Sequence, residues 1–300
     1  MTDVKTPALS RAHRAKNTLE TVMNGIFFVC GAASILCVAA IAGYMIISGV
    51  PAIREIGLFQ FLFGTEWAPT AEDPRFGILP MILTTITGTM GAVLIGTPLG
   101  LFTAVFICYM APQKIRMILT AAVELLAGIP SVIYGLVGIT VISPLVANLF
   151  DIPSGATLFT AILVLAVMIL PTIVSVTVTS LRAVPQEYSD GSLALGATDV
   201  TTIFKMNVPA AKSGIITGIV LGVGRAIGET MAIIMVSGNV VNMPNLFKSV
   251  RFLTTGIVSE MSYASGLHRE ALFSVGLILF IFIFIINLVL TGILKKGSKK

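Results

Sequence analysis

Residues 152–181 read IPSGATLFTAILVLAVMILPTIVSVTVTSL, thirty positions without a single charge. A helix needs about 20 apolar residues to cross the hydrocarbon core of a bilayer, so this run is long enough to span one. It is solidly apolar instead of alternating, which excludes a strand of a transmembrane barrel. Four more charge-free runs occupy Thr21–Ile53, Phe76–Gln113, Leu125–Phe150 and Ala271–Leu294. A sixth, near Ser213–Ser237, is interrupted only by Arg225 and Glu229. Across the 300 residues, 56% are hydrophobic and 11% charged, and mean hydropathy is +0.98. Soluble domains carry about 25% charged residues. The reading is an all-α, polytopic membrane bundle of about six transmembrane helices.

The nineteen Lys and Arg residues sort onto two sides of such a bundle. Thirteen fall on the side of the tails and of the loop after Arg182, five fall on the other side, and Arg225 remains within a span. Cytoplasmic loops carry the excess of Lys and Arg, so both termini are expected in the cytoplasm of a multi-pass protein of a bacterial or archaeal inner membrane. The predicted layout is a cytoplasmic tail at 1–23, a first transmembrane helix at 24–49 and an external loop at 50–77. A core follows at 78–294, with a cytoplasmic loop at 183–211 and an external loop at 238–270, and a basic tail closes the chain at 295–300. The leader is expected to be retained, because the apolar run after it is far longer than a signal peptide's. Three cysteines and two histidines give neither a disulfide framework nor a metal site. The net charge of +5 follows from the sided loops, and no basic patch interleaved with stacking aromatics points to nucleic acid.

Pro98, Pro130, Pro144 and Pro171 interrupt the spans. Such breaks are tolerated at membrane depth where neighbouring helices or water re-satisfy the freed carbonyls, which predicts a bundle around a cavity. Gly96/Gly100, Gly214/Gly218/Gly222 and Gly224/Gly228 recur at four-residue steps and predict close helix contacts. In the first external loop, Phe59, Phe61, Phe63 and Trp67 are expected at headgroup level.

The long inside loop, AVPQEYSDGSLALGATDVTTIFKMNVP, is ordered where a mere connector would not be. It offers short helical patches with apolar Ile203, Phe204 and Val208, a surface for a soluble partner. The loop resembles the coupling loop of ATP-binding-cassette importer permeases. In that family a Glu-Ala-Ala triplet precedes a glycine and then a proline. Asp190, Gly191 and Ser192 occupy the triplet here, followed by Gly196, Ala197 and Pro209, with the family spacing kept and the triplet altered. FGILPMILTTITGTM (76–90), ELLAGIPSVIYG (124–135) and GRAIGETMA (224–232) resemble, more narrowly, the PstC-type permeases of high-affinity phosphate importers. The resemblance implies a type I importer permease that forms a heterodimer with a sister permease. It further implies two ATP-binding-cassette ATPase subunits inside, an extracytoplasmic phosphate-binding protein outside, and inorganic phosphate as cargo. ATP and Mg are expected in the partner ATPase and no cofactor in this chain. The residues agree, since no G-x-x-x-x-G-K-[ST] loop is present to cradle a nucleotide.

An arginine at the centre of a lone helix costs roughly 2.5–3.5 kcal/mol on insertion scales. Arg225 and Glu229, four residues apart, would share a helix face and partly neutralise each other. Three readings follow. Arg225 offers its planar fork to a passing oxyanion, or the pair is a gate, or it is a constant ion pair. Glu124 is either hydrated near the cytoplasmic interface or an inner gate facing Arg225. Gly128 and Pro130 are expected to break the helix beyond it, freeing N–H groups near Ser131. Thr84, Thr85, Thr87 and Thr89 either line a path or bond to their own backbone. Two other functions remain open on the residues alone: a permease for another oxyanion such as molybdate or sulfate, and an ion-coupled secondary transporter with Glu124 or Glu229 carrying the proton. Catalysis has no residue set to carry it.

Overall fold

The structure is a computed structural model that describes residues 7–297. The ends of the two predicted tails, 1–6 and 298–300, lie outside the described residues. By packing the chain forms two compact units, Met1–Ser48 and Gly49–Lys300. The first is the bulk of helix α1, Pro7–Ile56, which starts well before the predicted 24–49. Between residues 20 and 48 it buries nothing, and Phe28, Ile35, Leu36 and Ile47 are all exposed. A helix apolar all round and exposed all round is dressed for lipid.

The second unit is built around α7, Leu158–Arg182. Thr157 caps it by accepting the Thr160 N–H at 3.4 Å, and fifteen of its side chains are buried. Helix α3, Leu79–Val105, and helix α11, Lys212–Gly228, lie against it. The glycine steps explain how. A Cβ on Gly96 or Gly100 would come within 2.8 Å of Ile169 or Ile173, and one on Gly222 within 3.1 Å of Ile173. On Gly214 it would strike Ser180. Small residues thus let two backbones close on one central helix. Gly224 and Gly228 do not take part, because a Cβ on either would meet nothing within 4 Å.

Two spans are broken. Helix α4, Gln113–Gly128, stops at Ile129, and the chain resumes as α5, Ser131–Val137, a wide turn at 138–142 and α6, Ser143–Phe150. The predicted span 125–150 therefore begins inside one helix and ends in another. Likewise α11 ends at Gly228 and α12, Met231–Val236, follows. Among the described residues, five helices are long and apolar enough to cross a membrane. A sixth passes that test jointly with the preceding segment 199–210, across a 69° bend at Ala211. There Pro209 removes a backbone N–H from the helical ladder.

The connection predicted as the external loop 238–270 is structured. Leu158 and Phe159 donate to the carbonyls of Lys248 and Leu246 at 3.2 and 2.9 Å, and α13, Leu253–Glu260, and the start of α14, Gly266–Gly297, lie within it. A short helix α2, Leu58–Phe63, and a hairpin of β1, Trp67–Ala68, on β2, Arg75–Phe76, pack against these elements. The aromatic expectation fails in part. Phe59 and Phe63 are exposed and stacked at 6.2 Å, but Phe61 is fully buried and Trp67 turns inward.

Candidate functional site: two facing helix breaks

The breaks after Gly128 and Gly228 have nearly the same geometry. Ile129 sits at φ −70°, ψ 127° and Glu229 at φ −70°, ψ 131°; each follows a glycine with open space where a Cβ would be. The halves beyond the breaks, α5 and α12, pack on each other. A Cβ on Gly135 would approach the Ala232 Cα to 2.9 Å, and one on Gly138 would approach Val236 to 2.6 Å. The two unwound segments therefore share one neighbourhood. Broken helices of this kind set backbone N–H and C=O groups against a cavity instead of lipid.

Arg225 lies in the last turn of α11, half-exposed. The expected ion pair on one helix face is not formed, because the helix stops one residue before Glu229. The carboxylate instead accepts the Ala232 N–H at 3.0 Å and so caps the first turn of α12. Its carbonyl accepts the Thr254 hydroxyl at 2.9 Å. Among the described residues Arg225 makes neither hydrogen bond nor ion pair; in its neighbourhood is the Tyr134 hydroxyl. That hydroxyl donates to the Leu126 carbonyl at 2.7 Å, bridging the first break. Ser131 opens α5 beside it, half-buried. Tyr134 is a residue that sequence reasoning passed over, although it lay inside the quoted motif and three positions past Ser131.

Glu124 does not meet Arg225 in the described structure. It sits four residues before the break, exposed, in a cavity of about 600 Å³ with Arg116 and Arg182. The threonines divide. Thr85 and Thr87 donate to carbonyls four residues back at 2.8 Å, as helical threonines do. Thr84 and Thr89 are buried with hydroxyls that find no partner among the described residues.

The inside loop forms a compact helical bracket. Asp190, Gly191 and Ser192 lie within α8, Gln186–Ala194. Gly196 ends it at φ +85°, with its N–H on the Leu193 carbonyl and the Ala197 N–H on Ser192. That is the paired bonding of a glycine C-cap, which needs the left-handed conformation. Thr198 then caps α9, Asp199–Thr202. Side-chain bonds Ser189–Asn207 at 3.1 Å and Ser192–Thr202 at 2.9 Å fold the bracket back on itself. Pro209 is exposed in a short turn, α10, Val208–Ala210. At the tip Leu195 is 91% exposed, flanked by exposed Tyr188, Leu193 and Val200. Such an apolar knob on a polar loop is the mark of a partner surface.

Sequence reasoning also missed a buried cluster. Glu260 accepts from Trp67 Nε1 at 2.9 Å, bonds His268 Nε2 at 2.8 Å and pairs with Arg251. Its one signal was an acid isolated in the apolar stretch LTTGIVSEMSYA, 253–264.

Known proteins match the chain over most of its length. The sequence pattern of the family described as binding-protein-dependent transport system inner membrane component covers residues 96–299. A probable ABC transporter permease protein, YqgH, of Bacillus subtilis is 36% identical, the match covering 86% of each chain. The phosphate transport system permease protein PstC of Pasteurella multocida is 34% identical over 88% of this chain and 89% of its own. That of Haemophilus influenzae is 36% identical over 82% and 84%. Among solved structures, a bacterial alginate ABC transporter in complex with an alginate-bound periplasmic protein aligns with a TM-score of 0.63 at 15% identity, covering 93% of this chain and 96% of that one. The MetNI methionine ABC transporter aligns at 0.59 and 20%, covering 73% and 95%. At those identities the structural matches speak for the fold.

Proposed function

The chain belongs to the family of binding-protein-dependent transport system inner membrane components, and from that premise we propose that it is the phosphate-conducting permease subunit of an ATP-driven importer. That it is a multi-pass permease subunit and not an enzyme is the common ground of its relatives. The cargo is the finer step. The observation that carries it is Arg225: a guanidinium without an ion-pair partner among the described residues, beside two unwound helix segments. Phosphate oxygens match its fork bidentately. Glu229, held off by its capping bond, lends nearby negative charge that keeps the anion from lodging, as conduction requires.

The bracket at Gly196 receives the work. Two ATPase subunits, holding ATP and Mg, dock on Leu195 and its apolar neighbours on the Lys/Arg-rich side, where both termini lie. A sister permease completes the path, and a phosphate-binding protein delivers from the other side. The membrane is the inner membrane of a bacterium or archaeon. The test is ATPase activity of the purified complex with its binding protein. Stimulation by phosphate and not by sulfate or molybdate is expected. Equal stimulation by sulfate would reassign the cargo, and uptake that survives ATP depletion but collapses with the proton gradient would overturn the ATP-driven reading.

A further inference from the structure

We propose a second oxyanion site, formed by Arg116 and Arg182 in the groove between α4 and α7, on the route between Arg225 and the tail-bearing side of the membrane. The inference rests on the anion-conducting reading above. Arg116, Thr120 and Glu124 recur every fourth residue along α4, and the next step of that stripe, Gly128, is the break beside Tyr134. Ser175, Thr179 and Arg182 make the matching stripe on the last turns of α7. The two stripes line adjoining cavities of about 600 and 140 Å³ that share Thr120, Glu124 and Arg182. Helix α4 buries no residue at all. Two polar stripes facing one another on otherwise apolar helices belong to water or a partner, because lipid penalises them.

The arginines are underused by the fold. Arg116 reaches the carbonyls of Cys108 and Ala111 only at 3.4 Å, and its Nε is buried with no acceptor among the described residues. Arg182 lines both cavities. Neither forms an ion pair among the described residues, although Glu124 lines the same cavity. Two forks and one loose carboxylate leave a net positive charge, suited to a tetrahedral oxyanion that must bind briefly and leave. A free phosphate ion and a lipid headgroup share that chemistry, so the test must separate them.

The complete importer, with Cys30, Cys37 and Cys108 replaced by serine and with Thr179→Cys, is reconstituted in phosphatidylcholine vesicles. The thiol is then titrated with an anionic and a cationic methanethiosulfonate. The anionic reagent is expected to react about tenfold faster, the enrichment that a focused positive field gives. Millimolar inorganic phosphate should slow it, and R116Q and R182Q should each erase most of the preference. A cationic preference, or protection by neither phosphate nor sulfate, overturns the site even if phosphate uptake is normal. Protection by sulfate alone, with sulfate transported, supports the site while removing phosphate as the cargo. Blocking of the thiol by added phosphatidylglycerol, with no further effect of phosphate, assigns the arginines to a lipid headgroup and overturns the proposal.

Discussion

Two constellations of charge within residues 49–300 answer the same energetic problem in opposite ways. Glu260 is 5% exposed and spends its carboxylate on Arg251, His268 and Trp67. These partners come from three separate places in the chain: β1, the lead into α13 and the first turn of α14. Arg225 and Glu229 are half-exposed, unpaired with each other, and set where a helix has come undone. A buried ion with all its partners fixes architecture. A guanidinium left with no ion pair among the described residues is costly to the fold and free for a ligand. Charge in an apolar sequence is therefore not one signal but two, and the partners decide which.

The largest expected effect lies in the first constellation. Glu260→Ala leaves a half-buried Arg251 and a buried His268 without their carboxylate, and removing one partner of a buried pair costs about 3–5 kcal/mol. The thermal midpoint of the detergent-solubilised complex should fall steeply. Next comes Arg225→Ala. It should reduce phosphate uptake by about a hundredfold, the scale of losing a charge-assisted bidentate contact, with assembly and thermal midpoint unchanged. If that variant instead unfolds as Glu260→Ala does, the two constellations are alike and the comparison is wrong. Arg225→Lys keeps the charge and loses the fork, so intermediate uptake is expected. Glu229→Gln keeps the acceptor for the Ala232 N–H and removes only the charge. A change of about tenfold in uptake, without loss of stability, is expected if Glu229 tempers anion binding; unchanged uptake would reduce its role to helix capping.

The membrane class and the bundle were plain in the sequence because hydrophobic runs are long-range and redundant: losing one residue of 152–181 changes nothing. The break after Gly128 was legible too, since Pro130 cannot continue a helix. The break after Gly228 was not. Glu229 and Thr230 are compatible with a helix, and the unwinding depends on two bonds the local sequence does not reveal, Thr254 to the Glu229 carbonyl and Ala232 to its carboxylate. The expected Arg225–Glu229 pair failed for that reason. Trp67 was misplaced at the membrane interface because its partner, Glu260, stands 193 residues away. Glu124 was legible as an acid close to a break, but its neighbours Arg116 and Arg182 come together only through the packing of α4 on α7.

The smallest predicted effect tests whether the two constellations are mechanically joined. Helix α13 holds Thr254 in its first turn and Glu260 at its last residue, so less than two helical turns connect the clasp to the break. Thr254 is 7% exposed, and Thr254→Val keeps its shape while withdrawing the hydroxyl from the Glu229 carbonyl. A typical hydrogen bond contributes about 1 kcal/mol, close to a fivefold change in the balance between unwound and helical backbone at Glu229. Uptake should fall by a similar factor, Thr254→Ser should restore it, and the thermal midpoint should barely move. Residues in one network couple by about 0.5–3 kcal/mol, whereas distant independent sites add. Combining Thr254→Val with the milder Glu260→Gln therefore discriminates. If α13 transmits the clasp to the break, the second change should have little further effect on uptake once the first is made. Simple additivity would mean that the clasp holds the fold and the break conducts with no communication through α13.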